Sequence, residues 1–311
     1  VTRVEQWRAA LQLTRPGQWP VLTAQLVVSM LLVAPAATGG GCWLNFGSLT
    51  TLAAAWLAWV VMLNGATLAF NSAYDRDTGP VAYLPTPPDP PSWLAGAAVA
   101  VMLLGSVLGW LLVGSAFGLV VLGCVILSIL YSHPATRWKA RPGLDLLVNM
   151  VGYGAGTTAA GILAGRAAYL AGNCGLEGCN AVTAGTNWFI AGFGLLFGSF
   201  YPMTQLYQME EDRERGDRTL ATALGVRDSL ILAQVLGLLA AVAFALGLGT
   251  HGRFCWWPLP AAALAAWQGH LLYWLFRHEG MESPELERGM YRGLALWLAI
   301  DITLVVSWMC P

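Results

Sequence analysis

Residues 64–77, NGATLAFNSAYDRD, decide how this chain is read. The stretch begins inside an apolar run and ends in charge. Asn64, Asn71 and Asp75 are spaced i, i+7, i+11, which on a regular helix sets them on one face. A polar stripe climbing out of an apolar helix is costly in lipid unless it lines a cavity. Oxygen donors gathered at the mouth of an apolar chamber suit a hard cation.

The rest of the composition supplies the lipid. Of 311 residues, 57% are hydrophobic and only 11% charged, against roughly 25% charged in a soluble domain. This predicts an all-α, polytopic membrane protein. A spanning helix needs ~20 mostly apolar residues, and about nine such segments can be drawn: 19–37, 50–72, 93–113, 115–131, 146–164, 187–208, 227–248, 257–276 and 292–310. They are expected to form a single transmembrane domain, residues 1–311, bundled around a central cavity. The formal net charge of −1 and the lack of a basic tail give no reason to expect nucleic acid as a partner.

Every Lys and Arg except Arg166 and Arg253 falls in the N-terminal segment or in the loops after residues 72, 131, 208 and 276. Basic loops stay in the cytoplasm. The N-terminus is therefore expected inside and, with an odd number of spans, the C-terminus outside. The expected location is the cell (inner) membrane, with the chemistry facing the cytoplasm. Cys42, Cys174, Cys179, Cys255 and Cys310 fall near the expected outer surface, and Cys124 in mid-span. A local Cys174–Cys179 bridge and free thiols acting as small hydrophobes are both open.

Three cytoplasmic loops carry reactive groups. The first holds Asn71, Asp75, Arg76 and Asp77, hard ligands of the kind magnesium accepts, although Asn and Asp also form turns at helix ends. The second, YSHPATRWKARP from residue 131, places Arg137, Lys139 and Arg141 close after Tyr131. Such a cluster can clamp a phosphate, or simply mark an inner loop. The third, QMEEDRERGDRT from residue 208, sets Gln208, Glu211 and Asp212 on one side of a helix expected to continue from the sixth span. Its interleaved charges also fit a self-neutralising surface helix. Together, two acidic clusters and one basic cluster fit a diphosphate held by magnesium and Arg/Lys, with apolar helix ends holding a hydrocarbon. That points to an enzyme acting on a lipid diphosphate. Asp145, Asn149 and Tyr153 repeat at i, i+4, i+8 on the fifth helix and are expected to line the same space. Asp301 lies mid-span in the ninth, where an interhelical partner is expected, and Gln234, Gln268 and His270 read as interhelical hydrogen-bond formers.

At these residues the chain resembles the UbiA-type membrane prenyltransferases, a nine-helical family with two aspartate-rich motifs. The first family motif, Asn-x-x-x-Asp-x-x-x-Asp, is matched by Asn71 and Asp75; its last place is Gly79, with Asp77 the nearest substitute. The second, Asp-x-x-x-Asp followed by Gly-x-Arg-Thr-Leu, is matched by Asp212, Gly216, Arg218, Thr219 and Leu220, with Gln208 in its first place. The Tyr-Ser-x-Pro-x-x-Arg-x-Lys loop is matched by Tyr131, Ser132, Pro134, Arg137 and Lys139, and an N-terminal Arg-Pro with a Trp beyond by Arg15, Pro16 and Trp19.

The resemblance implies magnesium-dependent transfer of an isoprenyl group from an isoprenyl diphosphate to a lipophilic acceptor. Asp75, Asp212, Arg137 and Lys139 would be catalytic. Asn71, Asp75, Asp77, Gln208, Glu211 and Asp212 would serve the metal. Asn64, Arg76, Tyr131, Asp145, Asn149, Tyr153 and Arg218 would contact substrate. Membrane lipids, and protein partners in a membrane complex, are the other expected associates. Each motif lacks one carboxylate, so the alternative is a catalytically degenerate member of the same fold, serving as a lipid- or pigment-binding structural subunit.

Overall fold

The structure, a computed structural model, describes residues 2–32, 45–77, 79–172, 184–214, 216–250, 252 and 256–309. The side chains of Ala184 and Glu211 are not described. Cys42, Cys174, Cys179, Cys255 and Cys310 lie outside these residues, as does the metal-ligand role expected of the Glu211 side chain. Among the described residues the regular structure is helical, apart from one β-bridge between Val81 and Leu84. The helices are α1 (Arg3–Leu13), α2 (Trp19–Leu31), α3 (Phe46–Asp75), α4 (Leu94–Leu112), α5 (Ser115–Ser132), α6 (Leu144–Ala171), α7 (Ala184–Leu206), α8 (Met209–Glu214), α9 (Leu220–Thr250), α10 (Pro258–Arg277) and α11 (Ser283–Met309).

Seven of them, α3, α4, α5, α6, α7, α9 and α11, are long and apolar enough to cross a membrane. The chain is a multi-pass membrane protein. α10 has the length, at 20 residues, but Gln268, His270 and Arg277 make it less apolar. The first expected span begins as α2, and its second half lies outside the described residues.

Several helices, α3, α6, α9 and α11, overrun their expected spans because hydropathy sees only the part of a helix that lies in lipid. α3 begins four residues early, at an Asn45 cap: Asn45 Oδ1 accepts the Ser48 N–H at 2.9 Å, and Ser48 Oγ accepts the Asn45 N–H at 3.1 Å. α11 begins at Ser283, nine residues before the expected edge, through the charged turns Glu285–Arg292. α1 opens on a Thr2/Glu5 capping box.

Two long helices widen internally. α3 is π-helical over Leu57–Gly65 and α6 over Met150–Gly156. The regular 3.6-residue turn that put Asn64 in line with Asn71 and Asp75 therefore holds only beyond Gly65. Asn64 instead turns back on its own helix, donating from Nδ2 to the Trp59 carbonyl five residues earlier at 2.9 Å.

The chain separates into two compact units. One comprises Val1–Met30, Gly39–Arg137 and Ala159–Cys179; the other comprises Leu31–Thr38, Trp138–Thr158 and Asn180–Pro311. In the first, Trp59 meets Phe117 edge-on at 6.2 Å, and both are fully buried with Met102 and Val121. In the second, Phe193, Phe197 and Phe200 of α7 surround Trp297 of α11 at 6.0–6.3 Å. The Trp267 indole donates to Ser199 Oγ at 2.8 Å. Gln234 and Gln268 exchange side-chain donors with each other's carbonyls at 3.2 and 3.4 Å, and His270 Nε2 lies 3.0 Å from the Gly289 carbonyl. These are the interhelical bonds expected of all three.

α6 and α7 touch backbone to backbone at Gly154, where a Cβ would stand 2.5 Å from the Phe193 carbonyl and 2.7 Å from Gly194 Cα. Neither neighbour is a flexible side chain. Gly154→Leu is expected to destabilise the protein by about 1–3 kcal/mol through overpacking. Thermal unfolding in detergent, followed by tryptophan fluorescence, checks it; an unchanged midpoint would mean that the two helices part without cost.

Candidate active site

In the first unit the acidic motif sits at the C-terminal end of α3. The helix stops because Arg76 adopts the left-handed conformation (φ 50°), its N–H still bonded to the Ser72 carbonyl at 3.1 Å. Asn71, Asp75 and Asp77 are half-buried and Arg76 is exposed. Two polar rungs tie this helix to α5. Thr67 Oγ1 and Ser128 Oγ lie 2.8 Å apart, and one turn on, Ser132 Oγ donates to Asn71 Oδ1 at 2.8 Å. The rungs repeat at i, i+4 on both helices, so they register the acidic motif against the start of the basic loop. Tyr131 is half-buried at the head of that loop and Arg137 is exposed midway along it. Arg15 is buried behind the motif and donates from Nη2 to Ser72 Oγ at 3.4 Å. The Pro-rich residues 79–91 fold back at Tyr83, which packs 3.3 Å from where a Cβ on Gly17 would lie.

In the second unit, Lys139 is half-buried in the short turn Trp138–Ala140. The second acidic motif departs from expectation: α7 does not run on into it. The helix ends at Leu206, Gln208 N–H closes a tighter turn on the Gln205 carbonyl at 3.1 Å, and the Tyr207 carbonyl accepts a hydrogen bond from the Ser283 hydroxyl at 2.8 Å. Asp212 then lies in the separate short helix α8, its N–H bonded to the Gln208 carbonyl at 3.0 Å. Asp212 is buried, Gln208 half-buried and Arg218 exposed.

The tail of this motif has a mechanical meaning. Gly216, at φ 73°, ends α8: its N–H bonds the Arg213 carbonyl at 3.0 Å, and the Asp217 N–H bonds the Asp212 carbonyl at 2.8 Å. That pair of bonds is a Schellman cap, which favours glycine in the left-handed position. Thr219 caps α9, accepting the Thr222 N–H at 3.4 Å and donating to Asp212 Oδ2 at 3.4 Å. The Leu220 N–H docks on Asp145 Oδ2 at 2.7 Å, and the Ala221 N–H on Gln205 Oε1 at 3.2 Å. α9 itself breaks again at Gly225.

The stripe on α6 is divided in its uses. Asp145 has no exposed surface; besides Leu220 it accepts the Gly143 and Leu146 N–H groups, each at 2.8 Å, and Gln205 Nε2 at 2.9 Å. Asn149 donates from Nδ2 to the Asp145 carbonyl at 2.8 Å. Tyr153 is half-buried and stacks on Phe197 at 5.3 Å. Asp301 is buried, and its Oδ1 lacks the interhelical partner expected for it among the described residues.

Gln205 was not singled out from sequence, and Ser132 and Thr219 entered only as matches to family motifs, with no role assigned to either. Thr219 had a readable signal, a Thr following a turn and preceding an apolar run. The partners of Ser132 and Gln205 had no such signal, since each acts on a residue 60 or more positions away.

The candidate ligands are carboxylate and amide oxygens, without thiol or imidazole. Among the described residues no three Asp, Glu, His or Cys side chains gather to hold an ion by themselves. Magnesium does not need such a cage: it commonly takes one or two carboxylates and completes its shell with water and substrate phosphates. The donor set fits magnesium on those terms.

A helical membrane protein with a carboxamide–carboxylate motif at one helix end and a Gly-x-Arg-Thr-Leu turn after another acid defines a narrow class. The chain belongs to the UbiA prenyltransferase family, whose pattern matches residues 20–293. Among solved structures, it is similar to a UbiA homologue from Archaeoglobus fulgidus bound to DMAPP and Mg2+, at 17% identity over 96% of this chain and 99% of that one, with TM-score 0.64. It is likewise similar to a digeranylgeranylglyceryl phosphate synthase, at 14% identity over 98% and 99%, TM-score 0.63. A UbiA homologue from Aeropyrum pernix K1 shares 15% identity over 99% and 98%, TM-score 0.51. At these identities the likeness is one of fold. No match is found among curated proteins.

The Gly216 cap gives a local prediction. No atom lies within 4 Å of a Cβ placed there, so Gly216→Ala meets only the left-handed backbone cost of about 1–2 kcal/mol. Amide exchange over residues 212–217 should quicken by roughly 5- to 30-fold, with α10 unchanged. Equal exchange in the two proteins would show that the cap does not hold α8.

Proposed function

We propose that this protein is a magnesium-dependent membrane prenyltransferase, transferring an isoprenyl group from an isoprenyl diphosphate to a lipophilic acceptor. The observation that carries the reading is the Ser132–Asn71 hydrogen bond. It sets a cluster of oxygen ligands at the head of a loop bearing cations, and a metal-bound diphosphate needs both. The Archaeoglobus fulgidus homologues were solved with DMAPP or GPP and Mg2+, which supports the same pairing here.

Asn71, Asp75 and Asp77 of the first unit, and Gln208, Glu211 and Asp212 of the second, are the proposed metal-facing groups. When bound, magnesium supplies positive charge against the leaving diphosphate. Arg76, Arg137, Lys139 and Arg218 neutralise its remaining oxygens and stabilise charge as it grows there. Tyr131 adds a hydroxyl donor at the head of the same loop. The allylic C–O bond breaks with its electron pair leaving on the diphosphate; the acceptor forms the new bond to that carbon and gives up a proton. Tyr153, stacked on Phe197, is the aromatic wall proposed to exclude water and stabilise the developing cation. The basic loops support a cytoplasmic location for this chemistry.

The degenerate-scaffold alternative rests on Gly79 and Gln208. One assay separates the two. Purified protein is incubated with magnesium, radiolabelled farnesyl or geranylgeranyl diphosphate and a panel of acceptors: aromatic acid, quinone precursor, tetrapyrrole propionate and polyene. Turnover is expected, to be abolished by EDTA, and to fall by about 100-fold or more in Asp75→Ala and in Asp212→Ala. A folded wild-type protein that binds lipid yet releases no diphosphate overturns the reading in favour of the scaffold.

A further inference from the structure

Three backbone N–H groups open α9, and each is taken by a side chain from a different place: Leu220 by Asp145, Ala221 by Gln205 and Thr222 by Thr219. The first two receptors also hold each other, Gln205 Nε2 donating to Asp145 Oδ2 at 2.9 Å, while Gln205 Nε2 reaches Tyr201 Oη at 3.0 Å. Residues 206–219, which carry Asp212, thus leave from Gln205 and return to the same Asp145–Gln205 pair. We propose that Asp145 is a positioning residue: its buried carboxylate, with Gln205, closes the base of this segment and thereby sets the stance of Asp212 for metal binding.

A carboxylate is the group this place requires. Four donors converge on Asp145, and only an ionised carboxylate accepts on both oxygens without presenting a proton of its own. It also lies against the positive end of α9. Gln205 is suited to the second place because it must donate to Asp145 and accept from Ala221 at once. With both oxygens committed to protein donors, Asp145 acts on the reaction through Asp212 rather than by touching substrate.

The consequence for metal binding rests on the proposed function; the structural half does not, and the two are tested apart. In Asp145→Asn an NH2 group faces Gln205 Nε2 and the Leu220 N–H, donor against donor. In detergent, without metal or substrate, trypsin cleavage at Arg213 and Arg218 should quicken by about 10- to 100-fold, the cost of one charged hydrogen bond expressed as local opening. Cleavage at Arg277 and Arg288 should not change. Adding Gln205→Glu restores a donor–acceptor pair with the carboxamide introduced at position 145 and keeps an acceptor for Ala221, so the double variant should recover part of the protection. In the turnover assay Asp145→Asn should raise the magnesium concentration for half-maximal rate more than it lowers kcat.

Unchanged cleavage at Arg213 and Arg218 overturns the proposal, as does loosening at all four sites alike or a double variant no better than the single. A loss of kcat with unchanged magnesium dependence overturns the link to Asp212. If the wild-type protein transfers no prenyl group, the proposed function fails while the cleavage pattern still decides the latch. Should Asp145→Asn not fold, Gln205→Ala, which leaves the carboxylate three donors, is read in its place.

Discussion

Backbone that runs through or beside lipid has no water to fall back on, so each place where a helix widens, breaks or ends needs a side chain to close its hydrogen bonds. This constraint accounts for several of the polar residues described here. Where α3 widens, Asn64 covers the Trp59 carbonyl; where α6 begins to widen, Asn149 covers the Asp145 carbonyl. Where α9 starts, three side chains cover three N–H groups. The first π-helical segment, Leu57–Gly65, precedes the Asn71–Asp75 motif, and the second, Met150–Gly156, takes in Tyr153 of the α6 stripe, in keeping with the frequent place of such segments near functional sites.

That constraint explains what was legible in the sequence and what was not. Composition sufficed for a helical, multi-pass membrane protein, and spacing found the polar stripes. Spacing did not tell a side chain that serves the backbone from one left for chemistry. Asn64 and Asn71 look alike in sequence, yet Asn64 is buried against its own helix, while Asn71 stands half-buried at a helix end, keyed by Ser132. The broken join between α7 and α8 was hidden for a related reason: no Pro or Gly marks residues 206–209, and the Ser283 hydroxyl that bonds the Tyr207 carbonyl at the turn comes from 76 residues away.

The second motif shows how a family signature can encode mechanics as well as chemistry. Asp212 is the member proposed to face the metal. Gly216 ends one helix, Thr219 caps the next, and Leu220 contributes the amide that docks on Asp145. Gly216 and Thr219 each meet a backbone requirement that most other residue types meet less well, while at Leu220 the docking amide is one that any residue but proline supplies. Such a tail is expected to stay constant as the substrate varies, because it answers to the geometry of the turn rather than to the ligand.

Under the proposed function, the two missing carboxylates bear on how strongly the metal is held. Gly79 and Gln208 leave Asp75, Asp77, Glu211 and Asp212 as the acids of the motifs. Replacing a charged ligand by a neutral one lowers affinity for a divalent ion. A dedicated protein cage would suffer most from that loss. Magnesium that takes several of its oxygens from a diphosphate suffers least, since the substrate brings both ligands and negative charge with it. A weakened motif therefore favours an ion that arrives with the diphosphate and leaves with it. In such a site, the fixed stance of the remaining carboxylates counts for more than their number.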